Sequence, residues 1–76
     1  MPQRFRTATI KTVTNSYGMC TLWLRRRGAC FGLMAEQRYM ADALVACLGL
    51  DGPWEGKRIR FKAEGQMLTY LAPAKG

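Results

Sequence analysis

Residues 34–61 read MAEQRYMADALVACLGLDGPWEGKRIRF, and they predict one helix followed closely by one basic strand. From Ala35 to Leu48 the sequence has no Pro or Gly, and apolar residues recur at three- and four-residue spacing, which is typical of an amphipathic helix. Gly49 ends this pattern, and a Gly at that place favours a positive φ. Leu50 is then expected to fold back on the last turn of the helix.

A strand with one cationic face is predicted after the helix. Trp54 is expected to close the end of the core, with its indole N–H donated to a loop carbonyl. Beyond it the apolar period changes to two, which is the period of a strand. The alternation sets Ile59, Phe61 and Ala63 against Arg58, Arg60 and Lys62.

The residues before this stretch predict a β-hairpin and a short third strand. Residues 4–14 are rich in Thr, Ile and Val and favour a first strand. The sequence NSYG at 15–18 predicts a three-residue hairpin loop, and residues 29–33 predict the short strand. In the expected hairpin register Asn15 lies opposite Met19, Thr12 opposite Leu22, Lys11 opposite Trp23 and Ile10 opposite Leu24.

The residues after the basic strand predict a second hairpin. Glu64-Gly65 is expected to form a two-residue turn into a fifth strand at 66–71. That turn would place Phe61 opposite Leu68 and Ile59 opposite Tyr70. Residues 72–76, which include Pro73 and Gly76, are expected to form a frayed tail.

The resulting element order is β-β-β-α-β-β in a single domain, residues 1–76. A mainly β chain with one helix between its third and fourth strands matches a small OB-like barrel, in which the helix covers one end. A four-stranded antiparallel sheet with the helix packed on one face is the alternative.

The charges of the chain are separated by sign. The net charge is +7, from twelve Lys and Arg against five Asp and Glu. Ten of the twelve bases fall in predicted strands or strand ends, and the acids fall in the helix or in turns. This separation favours a polyanionic partner. A solvated surface that only maintains solubility is the alternative.

The sequence offers little chemistry for an enzyme, a metal or a membrane. It has no His and no Cys-x-x-Cys pair, so neither an acid/base pair nor a metal site can be nominated, and no cofactor is expected. The three cysteines are expected to be reduced and buried. The longest apolar run, residues 43–48, is too short to cross a membrane, and no secretory signal is visible, so a cytoplasmic location is expected.

A single-stranded nucleic-acid site is predicted around Trp23. Binding of this kind needs cations that follow the phosphates and aromatic rings on which bases stack, and Lys11 and Arg25 are expected to share a face with Trp23. The alternative is that Trp23 covers a second apolar layer or a homodimer interface. The predicted binding residues are Lys11, Tyr17, Trp23, Arg25, Arg27, Phe31, Arg58, Arg60 and Lys62.

One run of residues resembles a known group of proteins. The run comprises Leu44, Leu48-Gly49, Asp51, Trp54, Gly56-Lys57, Ile59 and Phe61. It resembles the helix and following W-x-G-K-x-[IV]-x-[LF] strand of small bacteriophage proteins with an OB-like, nucleic-acid-binding character. The resemblance implies a phage or mobile-element protein that binds single-stranded DNA or RNA with little sequence preference. The alternative is a small protein from the same sources that binds and inhibits a host protein.

Overall fold

A computed structural model describes residues 4–50 and 53–74. Its elements are β1 (Arg6–Ser16), β2 (Met19–Arg26), β3 (Ala29–Glu36), α1 (Gln37–Leu48), β4 (Arg58–Glu64) and β5 (Met67–Pro73). The five strands form a closed barrel in the order β1-β2-β3-β5-β4, with β3 and β5 parallel and the other pairs antiparallel. The expected OB-like barrel is therefore confirmed, and the open four-stranded sheet is wrong.

One apolar core fills the barrel. Strand residues of alternate parity point inward, and seven large side chains are fully buried: Phe61, Ile10, Leu22, Leu24, Met40, Leu44 and Ile59. α1 supplies two of them, and it packs against β2, β3 and β5. Val13, Cys20 and Leu44 line one cavity at the barrel end where β1 finishes and β2 begins, so the helix covers that end.

The first hairpin has a tighter turn than expected. Ser16 pairs with Met19, so the loop is only Tyr17-Gly18, and both loop residues have positive φ, at 52° and 76°. This is a type I′ turn, whose twist matches that of the two strands. The three-residue loop was therefore a wrong expectation.

A β-bulge at Lys11 compensates for the shorter loop. Thr12 pairs with Trp23 and Ile10 with Leu24, so Lys11 has no direct partner on β2. The expected pairing of Lys11 with Trp23 is wrong, as is that of Thr12 with Leu22, whose partner is Val13. The expected pairing of Ile10 with Leu24 is correct, because the extra residue in β1 offsets the shorter loop and leaves both side chains pointing into the core.

The third strand is longer, and the helix begins later, than expected. β3 continues through Leu33 and Ala35, which are both buried, to Glu36. Glu36 therefore lies at the N-cap position, not in the first turn, and its side chain makes no capping hydrogen bond. The backbone N–H of Gln37 donates instead to the Gly18 carbonyl at 3.0 Å, which ties the helix to the first hairpin.

The helix ends as the sequence predicts, except at Leu50. Gly49 has a φ of 82°, and its N–H donates to the Val45 carbonyl at 2.8 Å. The Trp54 indole packs on the core and donates its Nε1–H to the Gly49 carbonyl at 3.2 Å, as expected. Leu50 is 82% exposed, so it does not fold back on the helix. Asp51 and Gly52 lie outside the described residues.

The second hairpin also differs in register. Glu64 pairs with Met67 around the two-residue loop 65–66, and a bulge at Thr69 shifts the rest of β5. Phe61 therefore pairs with Leu71, not Leu68, and the pairing of Ile59 with Tyr70 is likewise wrong. β5 extends to Pro73 with Ala72 buried, so the expected frayed tail does not begin at residue 72.

Candidate nucleic-acid interface

Trp23 packs on the outer surface of the barrel, against Gly32 of β3. Gly32 is its neighbour on β3, and a Cβ built on Gly32 would lie 3.1 Å from the Trp23 ring and 2.8 Å from the Thr21 methyl group. The absence of a side chain at Gly32 therefore makes room for the indole. The indole N–H donates to the Thr14 hydroxyl at 3.0 Å, and the side chain stays 39% exposed. The result is an oriented aromatic ring on the outer face of β2 and β3.

A row of paired residues joins this face to the basic strand. Thr9 of β1 pairs with Arg25 of β2 on one side and with Arg58 of β4 on the other. Neighbouring strands are about 4.8 Å apart, so the backbones of the two arginines are about 10 Å apart. Arg25 also pairs with Cys30, whose Sγ lies 3.9 Å from the Lys11 Nζ. Lys11, Trp23, Arg25 and Arg58 thus share one continuous outer surface.

A groove lined by arginines runs beside this row. It has a volume of about 490 Å³ and includes Phe5, Thr7, Ala8 and Thr9 in its walls. We call it the basic groove; its five cations are Arg6, Arg25, Arg26, Arg27 and Arg58. Within the ranges 4–50 and 53–74, none of the five guanidinium groups has an ion pair or a hydrogen-bond partner. Such a concentration of unpaired positive charge attracts anions.

Arg60 and Lys62 lie further around the barrel, in a second aromatic cluster. The Arg60 guanidinium carbon is 4.9 Å and the Lys62 Nζ 4.6 Å from the centre of the Phe5 ring, as in cation–π contacts. Tyr70 meets the same ring edge to face at 5.5 Å. Arg60 also donates its Nε–H to the Pro73 carbonyl at 3.0 Å. These two cations are therefore more constrained than those of the basic groove.

The two secondary aromatic candidates do not join Trp23. Tyr17 is fully exposed at the tip of the first hairpin. Phe31 has inward parity and packs on the core, with its ring centre 5.8 Å from that of Phe61. Phe31 therefore does not lie on the face that carries Trp23, because its pairing with Leu24 puts both residues on the inner side of the sheet.

Sequence reasoning missed Arg6 and Arg26 as site residues. Arg6 continues the inward series of Ala8 and Ile10, and Arg26 continues that of Leu22 and Leu24. Both arginines occupy inward positions near a strand end, and a charged side chain there must lie at the open end of a barrel. This was the signal in the sequence that could have identified them. Gly32 was also missed, because its role depends on its pairing with Trp23.

The three cysteines differ in exposure. All are free thiols; Cys20 is buried and Cys47 half-buried, while Cys30 is exposed. The expectation that all three are buried is therefore wrong, because Cys30 occupies an outward position beside Arg25. Burial raises the pKa of the Cys20 and Cys47 thiols, so their reactive thiolate form is scarcer.

We expect alkylation of the native protein to modify Cys30 first. Iodoacetamide labelling followed by peptide mass spectrometry should show Cys20 and Cys47 reacting only slowly until denaturant is added. A bound oligonucleotide should slow the labelling of Cys30, since this thiol lies next to Lys11 and Arg25. Equal labelling of all three native thiols would contradict the burial pattern, and unprotected Cys30 would place the ligand elsewhere.

Two further observations concern metals and membranes. Within the described ranges, no three His, Cys, Asp or Glu residues lie close enough to hold a metal ion. No helix in that part of the chain combines the length and the apolar character that crossing a bilayer requires.

The fold and its surface define a class of protein, a small OB-like β-barrel with one basic, aromatic-bearing face. In barrels of this class the face of the second and third strands is a common site for oligonucleotides and oligosaccharides. Comparison of the chain with protein families, curated proteins and solved structures found no match. The resemblance to small bacteriophage proteins therefore stays a prediction.

Proposed function

We propose that this protein binds single-stranded DNA or RNA without catalysis and with little sequence preference. The observation that carries the proposal is the Trp23 indole, oriented by Gly32 and Thr14 and exposed beside Arg25, whose guanidinium group has no partner among the described residues. In this proposal the protein is encoded by a phage or mobile element and acts in the cytoplasm of a bacterial or phage-infected cell.

The indole is suited to stacking because its position is already fixed. A base that stacks on an aromatic ring gains about 1 to 3 kcal/mol, and the gain is tolerant of sequence because every base has a flat face. A freely rotating ring would lose conformational freedom on binding. The hydrogen bond from the Trp23 N–H to the Thr14 hydroxyl reduces that loss in advance.

The basic groove is suited to the phosphates. Arg25 and Arg58 flank Thr9 on one side of Trp23, so a strand stacked on the indole can extend its backbone toward them. Guanidinium groups bind phosphate oxygens in pairs of parallel hydrogen bonds. Binding there would relieve the repulsion among the five arginines of the basic groove and would release counterions from the nucleic acid.

We expect affinity for a fluorescent oligo-dT to fall steeply with salt. If about four phosphates are engaged, the slope of log affinity against log salt should be about −3, from roughly 0.7 per phosphate on single strands. Arg58→Ala should weaken binding and make that slope shallower by about one phosphate. The matched control is Arg38→Ala, which removes the same charge from an exposed position on α1 and should leave the slope unchanged.

The same titration with a duplex of equal length separates the alternatives. No binding of either nucleic acid at low salt would overturn the proposal and favour a host-protein partner. Tight binding of the duplex in preference to the single strand would keep the basic groove and exclude stacking on Trp23.

A further inference from the structure

The barrel end opposite the helix contains a small pit. Its volume is about 260 Å³, and it is lined by Arg6, Arg26, Ala29, Phe31 and Phe61. Phe61 is only 1% exposed, whereas Phe31 is partly exposed, so Phe31 offers the accessible aromatic surface. Pockets for drug-sized ligands measure roughly 300 to 1,000 Å³, so this pit suits a smaller flat group such as one nucleobase.

Two arginines lie at the edge of this pit. Arg6 and Arg26 lie at inward positions near the ends of β1 and β2, and no described acid pairs with either guanidinium group. Their mutual repulsion favours an anion between them. An aromatic wall beside two guanidinium groups matches the chemistry of a nucleotide, which joins a flat base to a phosphate.

The pit is also one end of the basic groove. Arg6 and Arg26 line both, so a backbone that follows the groove reaches the pit without leaving cationic surface. β3 supplies Ala29 and Phe31 to the other wall of the pit, and its sequence ACFGLMAE contains no Lys or Arg. A strand that continued past the pit over β3 would therefore meet no Lys or Arg of that strand.

We propose that the pit holds the terminal nucleotide of a bound single strand, with its base against Phe31 and its free phosphate between Arg6 and Arg26. This inference rests on the proposed function. The ligand chemistry is a nucleotide with a free phosphate, which either a strand end or a free mononucleotide can supply. The protein should therefore prefer phosphorylated strand ends to interior sequence.

Calorimetric titration of unlabelled oligo-dT tests this preference, because no label then blocks an end. The ligands are a closed circle, a linear strand with hydroxyl ends, and linear strands phosphorylated at one end or the other, all of one length. One phosphorylated strand should bind about tenfold more tightly than the circle, which corresponds to one charge-assisted hydrogen bond. Thymidine monophosphate should compete against that strand and not against the circle.

Two variants test whether the preference for a phosphorylated end arises at the pit. Arg26→Gln should bring the ratio of linear to circular affinity close to one. Phe31→Leu should do the same and keep normal binding of the circle, since Phe31 lies outside the basic groove and away from Trp23. Circle binding by this variant also shows that it is folded.

The outcomes separate the two proposals. Equal affinity of the wild-type protein for circle and phosphorylated strand would overturn the pit assignment and leave single-strand binding intact. Binding of thymidine monophosphate without any end preference would make the pit a mononucleotide site and overturn the strand-end assignment. Failure of every strand to bind would overturn both.

Discussion

Trp23→Ala is expected to weaken oligo-dT binding by about 1 to 3 kcal/mol, which is roughly a 5- to 150-fold loss of affinity. The reason is the loss of a stacking ring that Gly32 and Thr14 hold in place. The salt slope should stay almost unchanged, because stacking releases no counterions. Fluorescence anisotropy at two salt concentrations measures both quantities. A shallower slope would mean that Trp23 acts by positioning the cations.

Gly32→Ala is the companion variant, since it leaves every aromatic and charged residue in place. Its new methyl group would lie 2.8 Å from the Thr21 methyl group and 3.1 Å from the Trp23 ring, so Thr21 must move and the indole must shift by a few tenths of an ångström. It should therefore weaken binding in the same direction as Trp23→Ala, with an unchanged slope. Ala46→Ser, which alters an exposed residue of α1 away from the basic groove and the pit, is the control and should bind as the wild type does. Normal binding by Gly32→Ala would show that the orientation of the indole does not matter.

Leu44→Ala is expected to lower the free energy of unfolding by about 2 to 5 kcal/mol. Leu44 is fully buried, and it belongs to the helix that covers one end of the barrel, so the truncation leaves a cavity where α1 meets β2. Domains have only about 5 to 15 kcal/mol of stability in total. Thermal unfolding followed by circular dichroism should show a fall in Tm of about 8 °C or more.

The control for this variant is Arg38→Ala, which alters an exposed residue in the first turn of α1. It should change the stability by no more than about 0.5 kcal/mol. An unchanged Tm for Leu44→Ala would mean that the helix contributes little to the core, and would contradict the packing described above.

The element order could be predicted because each element has a local signal. The helical spacing, the stop at Gly49 and the period of two in the basic strand are all readable within a few residues. The pairing registers could not be predicted in the same way. They depend on bulges at Lys11 and Thr69, which let each hairpin keep a tight turn while its apolar side chains still point into the core. Neither bulge can be recognised from the sequence of one strand alone.

The candidate site shows the same division. Trp23 and Arg25 are two residues apart in β2, and side chains two residues apart in a strand point to the same face of the sheet. Their shared face could therefore be predicted from the sequence. The basic groove needs β4 to pair with β1, which is a contact between residues far apart in the chain. The inward position of Phe31 could not be read from β3 alone, because it is fixed by the pairing of β3 with β2.

The short pairing between β3 and β5 indicates where the closed barrel opens most easily. Among the described residues these strands share one register pair, Met34 with Met67, whereas β2 and β3 are paired along their whole length. Local opening of the barrel should therefore begin between β3 and β5, where it breaks the fewest backbone hydrogen bonds. The three strands β1, β2 and β3, which carry Trp23, would stay paired while β3 and β5 separate. The surface around Trp23 would therefore keep its structure during this opening.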